Sequence, residues 1–228
     1  MNDAALALPR PRPERGVLEG RYARIEPLAL AHADTLFAAS SGASAQELFR
    51  FLLAYAPADR ATFDAWLAGS IEASDPLVFA VIDRASGRCE GRLSLMRITP
   101  EHGVVELGGI LWGPAIARTR VATDAFFLIA RYVFETLRYR RFEWKCNVRN
   151  EASRSAALRF GFQFEGVFRQ HMMLKGENRD TAWYGMIDGD WRLVGAALRA
   201  WLAADNFDAA GKQRARLQDL RAARGDLS

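Results

Sequence analysis

The stretch VVELGGILWGPAIARTRVATDAFF, residues 104–127, with WKCNVRNEASRSAALRFGFQFEG, residues 144–166, decides the fold. Residues 104–111 read as a strand, and Gly108-Gly109 inside it predicts a β-bulge or a close backbone approach. An arginine-bearing loop then leads into an apolar helix over residues 122–137. Residues 142–148 form a second strand, and Asn150 opens a short helix that Gly161 closes. Two strands joined by a helical crossover are parallel neighbours. A bulge beside such a pair splays the strands and frees main-chain groups between them. An extended, amide-containing ligand can pair with those groups as a pseudo-strand.

Outward from this centre the pattern is mixed α/β. Residues 21–26 alternate as a first strand, and helices are expected over 31–39, 45–53 and 60–73, with Phe49, Tyr55, Phe63 and Trp66 as their aromatic content. Strands over 77–83 and 89–98 form a hairpin through Ala85-Ser86-Gly87. A long strand over 162–174 turns through residues 175–180 and returns over 182–187. Asp188-Gly189-Asp190 starts a terminal helix containing Trp191 and Trp201. In the apolar helix, Asp124, Arg131, Glu135 and Arg138 are spaced to form one solvated stripe. The expected organisation is a leader over residues 1–16, one domain over 17–190, and a helical extension over 191–228. That extension covers the acceptor cleft or meets a second copy as a homodimer.

Composition excludes several classes. Half of the 228 residues are apolar and a quarter charged, as in an ordinary soluble globular protein. No apolar run reaches the roughly 18–20 residues of a membrane span. Cys89 and Cys146 are too few and too far apart for a disulfide scaffold or a zinc site, which points to a reducing cytoplasm. The formal charge of +4 is mild, but Arg138, Arg140, Arg141, Lys145, Arg149, Arg154 and Arg159 stand against only Glu143 and Glu151. Arg118 and Arg120 lie just upstream. Grouped around two helix starts, these cations suit a phosphate site, where free N–H groups and the helix dipole act together. A ribosome- or RNA-binding module would use the same arginines, but no stacking platform or recognition motif accompanies them, and nothing points to DNA. No phosphate-loop, HExxH or Gly-x-Ser-x-Gly pattern occurs.

With these residues laid out, the chain resembles the GNAT superfamily of acetyl-CoA-dependent N-acetyltransferases, nearest to the branch of ribosomal-protein N-terminal acetyltransferases. The resemblance covers roughly residues 20–190. It rests on Val121-Ala122-Thr123-Asp124-Ala125, on Asn150-Glu151-Ala152-Ser153, and on Gly161-Phe162 continuing to Glu165-Gly166. It implies a GNAT-like mixed sheet, mostly antiparallel with one splayed parallel pair, and acetyl-CoA as co-substrate. The pantetheine arm would lie beside Ile110, Leu111 and Trp112. The pyrophosphate would lie on Arg118, Thr119, Arg120, Val121, Ala122 and Thr123. Asn150 would cap its helix and bond the pantetheine, and Ser153 would stand near the sulfur as the acid, with Tyr184 as its alternative. One departure is plain. Of the six loop positions 117–122 only Ala122 fits the family pattern, and Arg120 stands where a glycine normally lets backbone approach the phosphates.

The chemistry needs a base for the amine and an acid for the leaving sulfur. An α-amino group is about a tenth neutral at pH 7, whereas a lysine is neutral less than about one part in a thousand. Glu106, just before the Gly-Gly pair, is the first candidate base, and His171 on the strand FRQHMML is the second. Cys146 on the neighbouring strand offers an acyl-enzyme route, which a buried cysteine rarely serves. The expected activity is direct transfer to a primary amine, either a protein N-terminus, such as that of a ribosomal protein, or a small molecule. A non-catalytic acyl-CoA sensor is the alternative.

Overall fold

Residues 7–225 are described by a computed structural model, in which every strand and helix segment expected from the sequence appears with shifted ends. The order is β1 (Leu18–Glu19), β2 (Ala23–Pro27), α1 (Ala33–Ser40), α2 (Ala45–Phe49), α3 (Arg60–Glu72), β3 (Leu77–Asp83), β4 (Cys89–Thr99) and β5 (Val104–Trp112). Then follow α4 (Arg120–Arg131), β6 (Arg141–Asn147), α5 (Glu151–Phe160), β7 (Gln163–Leu174), β8 (Glu177–Ile187), α6 (Asp188–Trp201) and α7 (Leu217–Gly225). The strands make one sheet in the order β1-β2-β3-β4-β5-β6-β8-β7. Every neighbouring pair is antiparallel except β5 with β6, which α4 joins as a crossover.

The parallel pair is short. Its register runs from Val104 opposite Arg141 to Leu107 opposite Trp144 and stops there. On the other side of β5, Ser94 faces Gly108 while Arg92 faces Leu111, so β5 carries one extra residue. Gly109 sits in this bulge with φ +59°, a left-handed conformation that favours glycine. The bulge turns β5 away from β6 beyond Leu107.

Side chains alternate between two faces. Toward the rear, Phe79, Val81, Leu93, Leu95, Val105 and Leu107 join a large core with α4, α5 and α6. Toward the front, Val78, Ala80 and Ile82 pack with Leu36, Phe63 and Leu67 of α1 and α3. α4 is the rear core's centre, and its residues from Ala122 to Ala130 are all buried. α6 belongs to the same core through Trp191, Val194, Ala197, Leu198 and Trp201. Arg12 and Arg15 tie the start of the described chain to the Ser74 and Ala73 carbonyls after α3.

Three expectations need correction. The second helix ends at Phe49 instead of reaching residue 53. The described C-terminal residues do not cover the front: Arg221 bonds the Leu158 and Arg159 carbonyls of α5, and Phe207 packs on Tyr22 and Trp201 at the rear. Asp124 is not on a solvated stripe. It is 2% exposed, and its Oδ2 accepts the Tyr22 and Ala23 amides at 2.6 and 2.9 Å. Helical spacing alone misplaced it, because β2 covers that part of the helix. Burial pushes the Asp124 carboxyl up, against the lowering pull of those amides. Asp124→Ala would orphan both amides, and urea denaturation should show a loss of about 2 kcal/mol.

Candidate active site

β6 reads Arg141, Glu143 and Lys145 at every second position, so these three project to the front while Phe142, Trp144 and Cys146 enter the rear core. They build a ladder of charges along the splay. Lys145 Nζ lies 2.8 Å from Glu106 Oε2 and 2.7 Å from Glu143 Oε2, and 3.8 Å from the centre of the Trp183 ring. Arg141 reaches Glu143 Oε1 at 2.8 Å and grips both oxygens of Glu165 at 2.7 and 2.6 Å. Burial raises the Glu143 carboxyl, but the bonds from Lys145 and Arg141 together outweigh it and hold it below the usual carboxylate range. Glu165 is held low first by its hydrogen bonds to Arg141.

Glu106 heads the ladder and is 3% exposed. Arg97 NH1 adds a second cation at 2.7 Å, also to Oε2. Its Oε1 lies 3.4 Å from where a side chain on Gly108 would begin. One oxygen is therefore anchored twice, and the other is turned to the bulge. The expected front-facing carboxylate is present, but it is buried and ion-paired.

The remaining candidates fall into three places. His171, exposed on β7, shares a 2.9 Å hydrogen bond between Nδ1 and Thr181 Oγ1 and packs edge-on against Phe168. No hydrogen bond joins it to Glu106 among the described residues. Ser153 and Tyr184 belong to the opposite face. The Asn150 side chain accepts the Ser153 amide at 3.0 Å and so caps α5, while Ser153 Oγ accepts Trp144 Nε1 at 2.9 Å. Tyr184 is buried, and its hydroxyl accepts Arg154 Nε at 3.3 Å. Burial pushes the Cys146 thiol up, against the lowering pull of its bond to Ser153.

The third place is the start of α4, reached from the end of β5 through a turn closed by Gly113. Thr119 is the N-cap, and its hydroxyl accepts the Val121 amide at 3.2 Å. The left-handed backbone falls on Arg118, φ +63°, whereas Arg120 is the first helical residue. Its guanidinium stands 4.8 Å from the Tyr22 ring centre and 5.2 Å from that of Phe207. Arg120 thus carries no positive-φ strain, and its side chain is engaged by the C-terminal segment. Ile110 and Trp112 are half-buried and pack against the rear core, while Leu111, opposite Arg92 of β4, is buried.

Two walls enclose the front. From α2 and the loop after it come Phe49 and Tyr55; from the β7–β8 turn comes Lys175, whose Nζ donates to the Phe49 carbonyl at 2.6 Å and stands 5.0 Å from the Tyr55 ring centre. A cavity of about 290 Å³ lies instead at the rear, between Gly20, Asp124, Phe127, Arg131 and Arg199, and shares no residue with the splay. Among the described residues no His, Cys, Asp and Glu group could hold a metal ion, and no helix is long and apolar enough to cross a membrane.

A sheet splayed at a bulge, with a helix start at its mouth, defines an acyltransferase of the GNAT class. The family described as an acetyltransferase (GNAT) domain matches residues 23–163, and the chain belongs to that family. It is similar to the crystal structure of a GCN5-related N-acetyltransferase from Brucella melitensis, with 54% identity, a TM-score of 0.93, and 94% of this chain and 97% of that one covered. A probable GNAT acetyltransferase from Chromobacterium violaceum shares 37% identity over 80% of this chain and 91% of that one, with a TM-score of 0.75. An acetyltransferase structure from T. thermophilus shares 31% over 82% and 97%, at 0.73. At 19% identity the likeness is one of fold alone. Such neighbours include a Salmonella typhimurium enzyme described as modifying the N-terminal serine of a 50S ribosomal subunit protein, and a microcin C7 self-immunity acetyltransferase in complex with acetyl-CoA and AMP. A search of curated protein sequences finds no match.

Sequence reasoning missed the ladder. Its signal was present in RFEWKCN, where charges alternate with core residues at the strand period. Because Glu143 and Glu165 titrate below their ordinary value of 4.5 in the folded chain, their contribution is complete above that pH and is lost as pH falls through their folded values. Urea unfolding should therefore show wild type losing stability below about pH 4.5, and Arg141→Met, which removes the shared cation, losing less over the same interval.

Proposed function

We propose that the protein transfers an acetyl group from acetyl-CoA to a primary amine by direct attack in a ternary complex, with Glu106 as the base. The observation that carries this reading is the position of Glu106, whose Oε1 borders the Gly108-Gly109 bulge while Arg97 and Lys145 hold Oε2.

Acetyl-CoA supplies an activated thioester, a pantetheine arm with amides, and phosphates. The chain's own groups fit each part. Beyond Leu107 the β5 main chain has no β6 partner, which suits pairing with an amide-bearing arm beside Ile110, Leu111 and Trp112. The first-turn amides of a helix lack intrahelical acceptors, and those of α4 at Arg120 and Ala122, with Arg118 nearby, suit phosphates, whereas the Thr123 amide already donates to the Thr119 carbonyl at 3.4 Å. Thr119 keeps the Val121 amide oriented there.

Glu106 Oε1 takes a proton from the incoming ammonium, directly or through water, on the front face. Ser153 acts from the rear face as the proton donor to the departing sulfur. Its hydroxyl accepts from Trp144 Nε1, and its own proton, which lies within reach of the Cys146 sulfur, is the one to be given to the departing thiolate. The splay is what lets groups on opposite faces of one sheet serve the same bond. Tyr184 is less suited, since its hydroxyl is already engaged by Arg154 in the rear core. A protonated, buried Cys146 supports direct transfer over an acyl-enzyme. His171 lies on the front wall and serves acceptor contact better than the first proton transfer.

Among acceptors, the Lys175–Phe49 bridge across the front favours a small amine over the terminus of a folded ribosomal protein. The position of Glu106 beside the bulge supports turnover over a sensor that binds acyl-CoA without it. Glu106→Gln should lower kcat/KM about 10²- to 10⁴-fold with acetyl-CoA affinity unchanged, as measured by CoA release and titration calorimetry. Turnover at the wild-type rate would remove Glu106 from the mechanism, and tight acetyl-CoA binding with no transfer by wild type would favour the sensor.

A further inference from the structure

The front face at the bulge holds a cation that the proposed mechanism does not use. Arg92, on β4, is 7% exposed, and no carboxylate pairs with it among the described residues. Its NH1 donates to the Gly109 carbonyl at 2.7 Å, and its guanidinium stands 4.6 Å from the Trp66 ring centre of α3 and 6.0 Å from that of Phe49. Burial alone lowers it to about 10. A buried charge is costly unless it is paired, and a planar guanidinium with one edge committed still presents a fork that matches a carboxylate.

Two further groups on the same face have no carboxylate partner among the described residues. Arg179, on β8, is 8% exposed and makes its side-chain hydrogen bond to Thr181 Oγ1 at 3.2 Å, with no ion pair among the described residues. Trp183 Nε1 is buried without a hydrogen-bond partner among the described residues. Cationic or N–H groups without a carboxylate partner thus stand on both banks of the splay, beside Glu106 and Glu143, which are taken up by Lys145, Arg97 and Arg141.

We infer that Arg92 anchors a carboxylate of the acceptor, so that the substrate is a small amino-carboxylate, such as a free amino acid, with only a few bonds between amine and carboxylate. This rests on the acetyltransferase reading above. The short span follows from the bulge: Arg92 NH1 lies 3.3 Å from where a side chain on Gly109 would begin, and Glu106 Oε1 lies 3.4 Å from the same point on Gly108. The Cα atoms of adjacent residues are about 3.8 Å apart, so the anchor and the base flank one small site. The stacking of Arg92 on Trp66 and its bond to Gly109 fix the guanidinium before the acceptor arrives.

The experiment compares the proteinogenic L-amino acids with their C-terminal amides as acceptors, on the full chain, by CoA release. At least one free amino acid should be acetylated with a kcat/KM about 100-fold above that of its amide. In Arg92→Lys and Arg92→Met, KM for that amino acid should rise roughly 10- to 100-fold, while KM for acetyl-CoA stays unchanged and the preference over the amide collapses. A purely structural role would lower both acceptors alike. Amides acetylated as well as acids, or variants that weaken only acetyl-CoA, would overturn the assignment. If no amine is acetylated, the binding arm decides. Amino acids should raise the melting temperature of wild type and Glu106→Gln in the presence of CoA, their amides should not, and Arg92→Met should lose the shift. No such shift overturns the carboxylate site, whereas a shift without turnover overturns only the catalytic reading.

Discussion

One extra residue in β5 organises the rest of the molecule. Without the bulge at Gly109, β5 and β6 would pair to their ends, and the sheet would separate its two faces completely. With it, the pairing ends at Leu107 and the main chain beyond loses its partner. Glycine is needed twice over: Gly109 adopts φ +59°, and a Cβ there would lie 3.0 Å from Ser94 Oγ. The crossover helix α4 then returns its N-terminus to the same end of the sheet, so the opening and the helix start follow from one topology.

The two faces that meet at this opening differ in kind. The rear is apolar, filled by α4, α5 and α6, and it holds Ser153 by an N-cap and an indole hydrogen bond. The front is a ladder of alternating charges in which Glu106 and Glu143 are each shared between two cations. Buried ion pairs of this type contribute modestly to net stability, but removing one partner is costly because the other is left uncompensated. The ladder therefore fixes the position of Glu106 more than it strengthens the fold. A base held from one oxygen, with the other beside the bulge, needs little reorganisation when an amine arrives.

Legibility in the sequence followed the physics of each signal. The bulge, the crossover and the Asn150 cap could be read because glycine pairs, strand–helix–strand order and capping residues act locally. Asp124 could not be placed, since its partners are amides about a hundred residues away, at the start of β2 and just before it. Arg120 stands at the family's glycine position, yet the left-handed residue is Arg118, and Phe207, near the far end of the chain, takes the Arg120 side chain. The alternation on β6 was visible, but its meaning required Glu106 and Glu165 from two other strands. Arg92 gave no sign at all, because a missing carboxylate shows only in three dimensions.

The most direct test of the account is amide hydrogen exchange with and without acetyl-CoA. The account predicts new protection confined to the main chain of residues 109–112 and to the first turn of α4 at residues 119–123, where an arm paired on β5 and phosphates on the helix start would bond. Protection centred instead on the rear cavity near Gly20 and Arg199, with residues 109–112 unchanged, would contradict the claim that the splay is the seat of the co-substrate.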